Sequence, residues 1–476
     1  MEAFLANPGG AGVAPSGAPL LRGSPSQLNG LLPEKAVEAT GTLSDPALAT
    51  VGSGAGAPAS LALSLGAAGG LTAALKRGKR GRKAAAAARA RRYDVYPAEN
   101  VTGEKDACGV GMIANMEKAP NHDLLQAALR ALSCMEHRGA CSGGMDSNIQ
   151  LCGGDDSGDG AGVMTQIPWE LFSSEVAIPA DRSGCAVGML FFSKDPKERI
   201  AAKTRLETAL ANENFEILGY RIVPVNPSVL GERSAQTEPW TEQIFVRHPT
   251  ARGQKLESLL YIARKQTEAK LSYDSLYIAS LSTKTIVYKG MLKSVHLAQY
   301  YKDLQDPRYT VQYALWHRRF STNTMPRWPL AQPFRTIGHN GEINTIQGNY
   351  NWTHARSSAF EHPNFGYRME EVLPPCRAEN SDSGNLDCYV ELMLRCNREI
   401  PEALMIMVPE AYQENDNVNP AEDAVKNFYE YWGALQEPWD GPALLAFCDG
   451  EYMGAALDRN GLRPARYFQL KDGTTV

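Results

Sequence analysis

One cysteine, Cys108, opens the stretch "CGVGMIAN" and has the chemistry of a nucleophile. A thiol becomes nucleophilic when a neighbouring base removes its proton. Gly109 and Gly111 follow it, with one residue between them. Two glycines suit an ordinary core strand poorly, because glycine loses the most conformational entropy on folding and has no side chain to pack. The spacing predicts that another group lies close to the backbone beside Cys108.

Two polar stretches further along the chain could bind anionic groups. In "WHRRFSTNT" (316–324), Arg318 and Arg319 stand at a predicted strand end, and a guanidinium fork matches a carboxylate. In "IGHNGEINTIQGN" (337–349), Asn340 and Gly341 form a predicted "NG" turn after a short apolar strand. A side-chain amide and a backbone N–H that converge on one point can stabilise an oxyanion. Taken alone, the second pattern equally fits a plain hairpin turn.

The stretch "DDSGDGAG" (155–162) begins like a calcium-binding loop. Asp155, Ser157 and Asp159 stand at the first, third and fifth positions, but Gln166 stands where the bidentate Glu is required. The pattern favours a turn that supports a site over a calcium site. The nine cysteines form no Cys-x-x-Cys pair, which predicts reduced thiols and neither a disulfide framework nor a zinc or iron–sulfur site.

Charge divides the chain of 476 residues into two parts. Residues 1–92 carry 11 Lys and Arg against 4 acids, a net charge of +7. Because the whole chain has a net charge of −5, residues 93–476 carry a net charge of −12. This first part is rich in Ala, Gly, Ser and Pro, ends in a basic run at 76–92, and cannot bury enough apolar surface to fold. It fits a transit peptide, a solvated tail or a nucleic-acid patch, and the first is favoured.

Beyond residue 93 the pattern is that of a folded protein. Asn121 is a predicted helix cap before "HDLLQAALRALSC", and Gly139 is a predicted stop. Further helices are predicted near 197–211, 255–270, 386–397 and 420–435. Hairpins are predicted in "SLYIASLSTKTIVYKG" and around Asp449–Gly450. Strands and helices come in separate runs, which favours an α+β fold with largely antiparallel sheets.

Several long motifs, in this order, resemble the glutamine amidotransferase domain of the glutamate synthase family. They are "CGVGMIAN", "MEHRG", "DDSGDGAG", "HRRFSTNTMPRWPLAQPFRTIGHNGEINTIQGNYNW", "SDSGNLD", "MIMVPEAY", "WDGPALLAFCDG" and "LDRNGLRPARY". The ferredoxin-dependent chloroplast form is the most similar. The resemblance covers about residues 108–470 and departs in one place: the stretch between "HRG" and "DSGDG" is about ten residues longer than expected.

The resemblance implies the αββα sandwich of N-terminal nucleophile hydrolases. It implies a propeptide at 93–107 and a class II amidotransferase domain at 108–476, which follow the disordered transit-peptide-like segment that composition indicates at 1–92. Removal of the propeptide would make Cys108 the first residue. Its freed α-amino group, with a pKa of about 7.7–8.0, would be a base matched to neutral pH.

The resemblance also implies roles in the hydrolysis of L-glutamine. Cys108 would attack the side-chain amide, and Asn340 with the Gly341 N–H would form the oxyanion hole. Arg319 would hold the α-carboxylate and Asp382 the α-ammonium, with Thr322 and Asn323 at the edge and Arg138 as a support near the nucleophile. By itself, Asp382 also fits a helix cap before Leu386. A papain-like pairing of Cys108 with His317 or His339 is disfavoured, because the family supplies the base without an imidazole.

No cofactor is expected within this chain. The resemblance implies that FMN and an iron–sulfur cluster lie in domains beyond Val476, with ferredoxin as electron donor and the plastid as location, and we expect neither a nucleic-acid nor a membrane partner. The chain is then a fragment or a short product that holds the glutaminase half. The alternatives are a free-standing glutaminase, a catalytically silent subunit, or a basic-tailed nucleic-acid protein.

Overall fold

The structure is a computed structural model that describes residues 109–115, 117, 119–139, 157–321, 324–412 and 420–476. The predictions for the transit-peptide-like segment, the propeptide, Cys108, Thr322, Asn323 and the enlarged loop after Gly139 lie outside the described residues.

Strands and helices alternate in short runs along the described part of the chain. The strands are β1 (Val110–Ala114), β2 (Ala161–Gln166), β3 (Cys185–Phe192), β4 (Glu216–Ile222), β5 (Trp240–Arg247), β6 (Leu276–Ser282), β7 (Thr285–Gly290), β8 (Tyr313–Arg318), β9 (Ile337–Gly341), β10 (Ala443–Cys448) and β11 (Met453–Leu457). The helices are α1 (His122–Cys134), α2 (Trp169–Ser173), α3 (Pro196–Asn212), α4 (Glu232–Gln236), α5 (Gly253–Glu268), α6 (Leu297–Tyr300), α7 (Ile346–Arg356), α8 (Met369–Val372), α9 (Asp382–Arg395), α10 (Ile400–Met407) and α11 (Pro420–Gly433). Within these ranges, no helix is both long enough and apolar enough to cross a membrane.

The strands form three antiparallel sheets. Sheet I has the order β1–β8–β2–β7, sheet II the order β11–β10–β9, and sheet III the order β4–β5–β3–β6. Every strand pair in them is antiparallel. This confirms the predicted antiparallel character.

Sheets I and II pack face to face between two helical layers. Their inner faces share one core, in which Val110 and Leu315 of sheet I pack with Leu444 and Ala446 of sheet II. The other face of sheet I packs on α1, and the other face of sheet II packs on α9 and α10. The order of layers is α, β, β, α, so the predicted αββα sandwich is confirmed.

Strand β8 shows how the sequence specifies this layering. Tyr313 and Leu315 point to the core between the sheets, while Ala314 and Trp316 point to the core beside α1. All four side chains are buried, as expected for a strand covered on both faces. Sheet III adds a further layer, because alternate residues of β3 pack against α3 and α5.

The predicted helices are confirmed within a few residues. The Asn121 side chain caps α1 by accepting a hydrogen bond from the Leu124 N–H at 2.9 Å. The helix ends at Cys134, and a separate 3-10 turn, Glu136–Arg138, carries the chain to Gly139. The Asp449–Gly450 hairpin is also confirmed, because β10 and β11 pair directly across it.

The predicted hairpin in "SLYIASLSTKTIVYKG" is wrong, although both strands exist. β6 pairs with β3 in sheet III, whereas β7 pairs with β2 in sheet I. Glu257 of α5 accepts hydrogen bonds from the Ser282 hydroxyl at 2.9 Å and the Thr283 N–H at 2.7 Å, which fixes a corner between the two sheets. Each strand therefore pairs within the layer it packs in, and its neighbour in sequence is not its partner.

A single buried carboxylate joins α9 to the segment that enters β9. Asp387 is fully buried, and its Oδ1 accepts hydrogen bonds from the Thr336 N–H at 2.8 Å, the Thr336 hydroxyl at 2.7 Å and the Ile337 N–H at 3.2 Å. Its Oδ2 accepts from the Arg335 N–H at 3.2 Å. A carboxylate so engaged fixes the position of the strand relative to the helix.

We predict that Asp387→Ala lowers the free energy of unfolding by about 3–5 kcal/mol, because it leaves buried donors without an acceptor. Denaturant titration measures this change. The matched control is Asp274→Ala, at a side chain that is 84% exposed and paired with Arg327. The control variant is expected within about 0.5 kcal/mol of the unaltered protein. A loss below about 1 kcal/mol for Asp387→Ala would contradict this role.

Candidate active site

The ends of β8 and β9 open onto a cavity of about 330 Å³. Its wall is formed by Gly109, Arg138, His317, Arg318, Arg319, Phe320, Ser321, Gln332, His339, Asn340, Gly341, Glu342 and Arg463. Four of these residues are arginines and one, Glu342, is acidic. The wall therefore favours a ligand that carries negative charge.

The residue that follows Cys108 is fixed at this cavity by β8. The Gly109 carbonyl accepts a hydrogen bond from the Arg318 N–H at 2.6 Å. A Cβ atom on Gly109 would lie 2.8 Å from the Arg318 carbonyl oxygen, and one on Gly111 would lie 2.5 Å from the Trp316 ring. The predicted close approach to the backbone is therefore found, and the approaching groups belong to β8.

Arg318 and Arg319 have different surroundings. The Arg318 side chain is buried; its guanidinium pairs with Asp159, donates to the Gly160 carbonyl at 2.8 Å and contacts Glu136 at 3.3 Å. It holds β8, the "DSGDG" turn and the 3-10 turn together. The "DSGDG" turn thus supports the site, as predicted.

Arg319 points its fork toward the cavity. Its backbone has a φ of 115°, which costs a non-glycine residue about 1–3 kcal/mol, and its N–H donates to the Gly160 carbonyl at 2.8 Å. Its Nε lies 3.2 Å from Asp159, and the side chain remains 43% exposed. Within the described residues, neither terminal guanidinium nitrogen has a partner. This side chain can bind a carboxylate.

Asn340 and Gly341 are the last residues of β9, so the predicted "NG" turn is wrong. They pair with Leu444 and Ala443 of β10, a strand about a hundred residues later in the chain. Gly341 has a φ of 151°, and a Cβ there would lie 1.9 Å from the Pro442 carbonyl oxygen. The glycine is required by this backbone contact, and no tight turn is involved.

The Gly341 N–H points to the cavity side of β9. N–H groups alternate in direction along a strand. The Glu342 N–H points to the β10 side, where it donates to the Pro442 carbonyl at 3.2 Å. The His339 N–H points the other way and donates to the Gln332 side chain at 2.7 Å. Gly341 follows the direction of His339, so its N–H faces the region lined by Gln332.

Both histidines of the wall are buried and neutral near pH 7. Burial lowers the pKa of His317 and of His339 to about 4. The His317 ring nitrogens lie 2.9 Å from the His339 carbonyl oxygen and 3.1 Å from that of Arg319. The His339 Nδ1 lies 2.7 Å from the Ser383 hydroxyl, while its buried Nε2 has no partner among the described residues. A pKa near 4 makes either ring a poor base for chemistry at neutral pH.

Asp382 lies behind the cavity wall. It is 2% exposed, and its carboxylate accepts hydrogen bonds from the Ser321 hydroxyl at 2.6 Å and the Ile343 N–H at 3.0 Å. Burial alone would raise the pKa of Asp382, but His339 and these donors lower it below its usual range. The cap of α9 is Ser381, which accepts from the Gly384 N–H, so the interpretation of Asp382 as the cap is wrong.

Some of the predicted site residues line the cavity, and others do not. Arg138, Arg319, Asn340 and Gly341 line one cavity, and Asp382 is separated from it by Ser321. Cys108, Thr322 and Asn323 lie outside the described residues. No group of three or more His, Cys, Asp or Glu among the described residues could hold a metal ion.

Sequence reasoning assigned no role to Gln332, Ser321 or Arg463 in this wall. All three stand inside the motifs that carry the family resemblance, in "PLAQPF", "RRFSTN" and "LDRNGLRPARY". Their position inside these motifs is the feature of the sequence that could have identified them as site residues. Their partners are distant in sequence, so no local spacing could reveal them.

Comparison with known proteins shows the family to which the chain belongs. Residues 108–476 match the family model described as "Glutamine amidotransferases class-II". The chain is 48% identical over 379 residues to ferredoxin-dependent glutamate synthase 2 of Synechocystis sp., covering 78% of this chain and 24% of that protein. It is 46% identical over 381 residues to the chloroplastic ferredoxin-dependent glutamate synthase of Oryza sativa subsp. japonica, covering 78% of this chain and 23% of the relative.

A third relative is the ferredoxin-dependent glutamate synthase of Pyropia yezoensis, 45% identical over 389 residues, with 79% of this chain and 24% of the relative covered. The chain thus spans about a quarter of the length of the relatives it matches. The resemblance predicted from the motifs is confirmed. The chain belongs to the class II glutamine amidotransferase family.

Proposed function

We propose that residues 108–476 hydrolyse L-glutamine to glutamate and ammonia, as the glutaminase half of a ferredoxin-dependent glutamate synthase. The observation that carries the proposal is the cavity at the ends of β8 and β9. It combines an open guanidinium fork at Arg319, an amide side chain at Asn340 and a backbone N–H at Gly341, next to the residue that follows Cys108. A carboxylate, a developing oxyanion and a thiolate are the groups that such an arrangement serves.

In the proposed reaction, the Cys108 sulfur attacks the side-chain amide carbon of glutamine. The oxygen becomes an oxyanion, which accepts hydrogen bonds from the Asn340 amide and the Gly341 N–H. Collapse breaks the C–N bond, and ammonia leaves with a proton returned by the base. Water then attacks the glutamyl thioester, the C–S bond breaks, and glutamate is released.

The base in this scheme is the α-amino group of Cys108, freed by removal of residues 93–107. Its pKa of about 7.7–8.0 suits proton transfer at neutral pH. The neighbouring histidines are poor alternatives, because burial lowers the pKa of both rings to about 4. This supports a base other than an imidazole.

The α-groups of glutamine are assigned to two residues of opposite charge. Arg319 binds the α-carboxylate through its terminal nitrogens, for which the described part of the chain offers no partner. Asp382 lies behind the cavity wall and offsets the charge of the α-ammonium. It acts either through the Ser321 hydroxyl, which donates to it, or by direct contact after that hydroxyl rotates away. Thr322 and Asn323 are proposed at the edge of the substrate, and Arg138 as a support beside the nucleophile.

The activity of the whole enzyme is part of the same proposal. Ammonia would pass to 2-oxoglutarate, with reduction at FMN supplied by an iron–sulfur cluster and ferredoxin, in domains other than the amidotransferase domain. Residues 1–92 would act as a transit peptide to the plastid. The plastid location is supported by three similar proteins, from Oryza sativa, Arabidopsis thaliana and Spinacia oleracea, which are chloroplastic.

We predict that Asn340→Ala and Asn340→Gly each lower the kcat of glutamine hydrolysis by about 10²–10³-fold, or about 2.7–4 kcal/mol. The KM should change little, because the amide contacts charge that develops in the transition state. Steady-state ammonia release measures both constants. The matched control is Asn344→Ala, an exposed asparagine of the same segment, with kcat within about twofold of the unaltered enzyme. A folded glycine variant with full activity would contradict the oxyanion role.

We predict that Arg319→Ala lowers kcat/KM for glutamine about 10- to 100-fold, since a hydrogen bond to a charged group contributes about 1.5–3 kcal/mol. The loss should appear mainly in KM. A glutamine analogue without the α-carboxylate should be hydrolysed equally slowly by both proteins.

The control for this comparison is Arg327→Ala, at a half-exposed arginine that pairs with Asp274 outside the cavity. Its kinetics should match those of the unaltered enzyme for both substrates. If Arg319→Ala slowed the analogue as much as glutamine, Arg319 would not be the carboxylate partner.

A further inference from the structure

The loop after β11 is built around one buried carboxylate, Asp458. Its Oδ1 accepts hydrogen bonds from the Asn460 N–H at 3.0 Å and the Leu462 N–H at 3.1 Å. Its Oδ2 accepts from the Ala443 N–H at 3.0 Å and the Arg463 N–H at 3.2 Å. Four backbone donors on one carboxylate fold residues 458–463 into a fixed loop on β10. The backbone of Arg463 is therefore held beside the active-site cavity.

The Arg463 side chain reaches from this loop to the end of β9. Its Nη1 donates to the Asn340 Oδ1 at 3.3 Å, and its Nε donates to the Pro442 carbonyl at 3.1 Å. The guanidinium is half-buried and lines the cavity. One side chain thus contacts the two structures that form the proposed oxyanion hole.

The contact with Asn340 decides which end of its amide faces the cavity. A side-chain amide has an acceptor end and a donor end, and a guanidinium can only donate. Asn340 must therefore turn Oδ1 to Arg463, which directs Nδ2 to the opposite side. The positive charge of the guanidinium beside Oδ1 also polarises the amide and strengthens its N–H groups as donors.

The contact with Pro442 acts on the second donor. The Pro442 carbonyl accepts from the Arg463 Nε and from the Glu342 N–H at 3.2 Å. The same oxygen occupies the space that a Cβ on Gly341 would need. Holding this carbonyl in place fixes the peptide between Gly341 and Glu342 and leaves no room beside the Gly341 Cα, which limits the rotation of the adjacent peptide that carries the Gly341 N–H.

We propose that Arg463 is the positioning residue of the oxyanion hole: it orients the Asn340 amide and the Gly341 peptide without touching the substrate. The proposal rests on the proposed glutaminase function. It gives a role to the "LDRNGLRPARY" motif, which the substrate contacts do not explain.

A different role would follow if Arg463 bound the substrate itself. An arginine that holds a substrate carboxylate contributes equally to the ground state and the transition state, so its loss raises KM. An arginine that orients the oxyanion donors contributes when charge develops, so its loss lowers kcat. The split between the two constants separates these roles.

The test compares Arg463→Ala, Arg463→Lys and the exposed control Arg466→Ala in the full chain, with and without Asn340→Gly. We expect Arg463→Ala to lower kcat about 10- to 100-fold, because the loss of a hydrogen bond to a charged group has an effect of this size. The KM should stay within about threefold of the value for the unaltered protein. Arg463→Lys should be intermediate, because an ammonium lacks the fork that joins Pro442 to Asn340. Arg466→Ala should retain normal kcat. Circular dichroism checks that each variant folds.

The double variant tests whether Arg463 acts through Asn340. In the Asn340→Gly background, Arg463→Ala should lower kcat clearly less than it does in the unaltered protein, because the amide it orients is already absent and its contact with Pro442 remains to be lost. Fully additive losses, a rise in KM at normal kcat, or normal activity of Arg463→Ala would each overturn the proposal. Absence of glutamine hydrolysis in the unaltered protein would instead overturn the proposed function.

Discussion

The site depends on a hydrogen-bonded contact between the two central sheets, made by His317. This residue stands on β8 of sheet I, and its Nε2 lies 2.9 Å from the His339 carbonyl oxygen on β9 of sheet II. Arg319 continues β8, while Asn340 and Gly341 end β9. The contact therefore sets the separation between the carboxylate fork and the oxyanion donors. A neutral ring suits this role, because burial lowers the pKa of His317 to about 4 and keeps it uncharged in the core.

Strain and buried charge are concentrated around this contact. Arg319 adopts a positive φ that few side chains tolerate, and the surrounding bonds maintain it: its N–H donates to Gly160 and its Nε lies beside Asp159. Asp387 fixes the entry to β9 from α9, and Asp458 fixes the loop that carries Arg463. Asp387 and Asp458 both accept hydrogen bonds from backbone N–H groups, so the polypeptide itself is held in place. Such rigidity is what an oxyanion hole needs, because its donors must be in position before charge develops.

Sequence alone predicted the parts of this molecule that depend on local chemistry. The Asn121 cap, the hairpin at Asp449–Gly450 and the strand end at Arg318 follow from residue type and short spacing. The "NG" turn failed because β9 pairs with β10, far away in sequence, and that pairing keeps Asn340 extended. The positioning of Asn340 by Arg463 spans 123 residues and leaves no periodic signal. The layers were predictable only through the family resemblance, since strand partners are chosen by packing.

The most direct test of Cys108 as the N-terminal nucleophile is mass-spectrometric mapping of the mature protein after reaction with a glutamine-like electrophile. We expect a chain that begins at Cys108, carries a single adduct on that residue and is protected from labelling by glutamine. The buried thiols Cys376 and Cys448 should not react, because burial raises the pKa of both. An active protein that retains residues before Cys108, or an adduct on another cysteine that glutamine blocks equally well, would contradict the central claim.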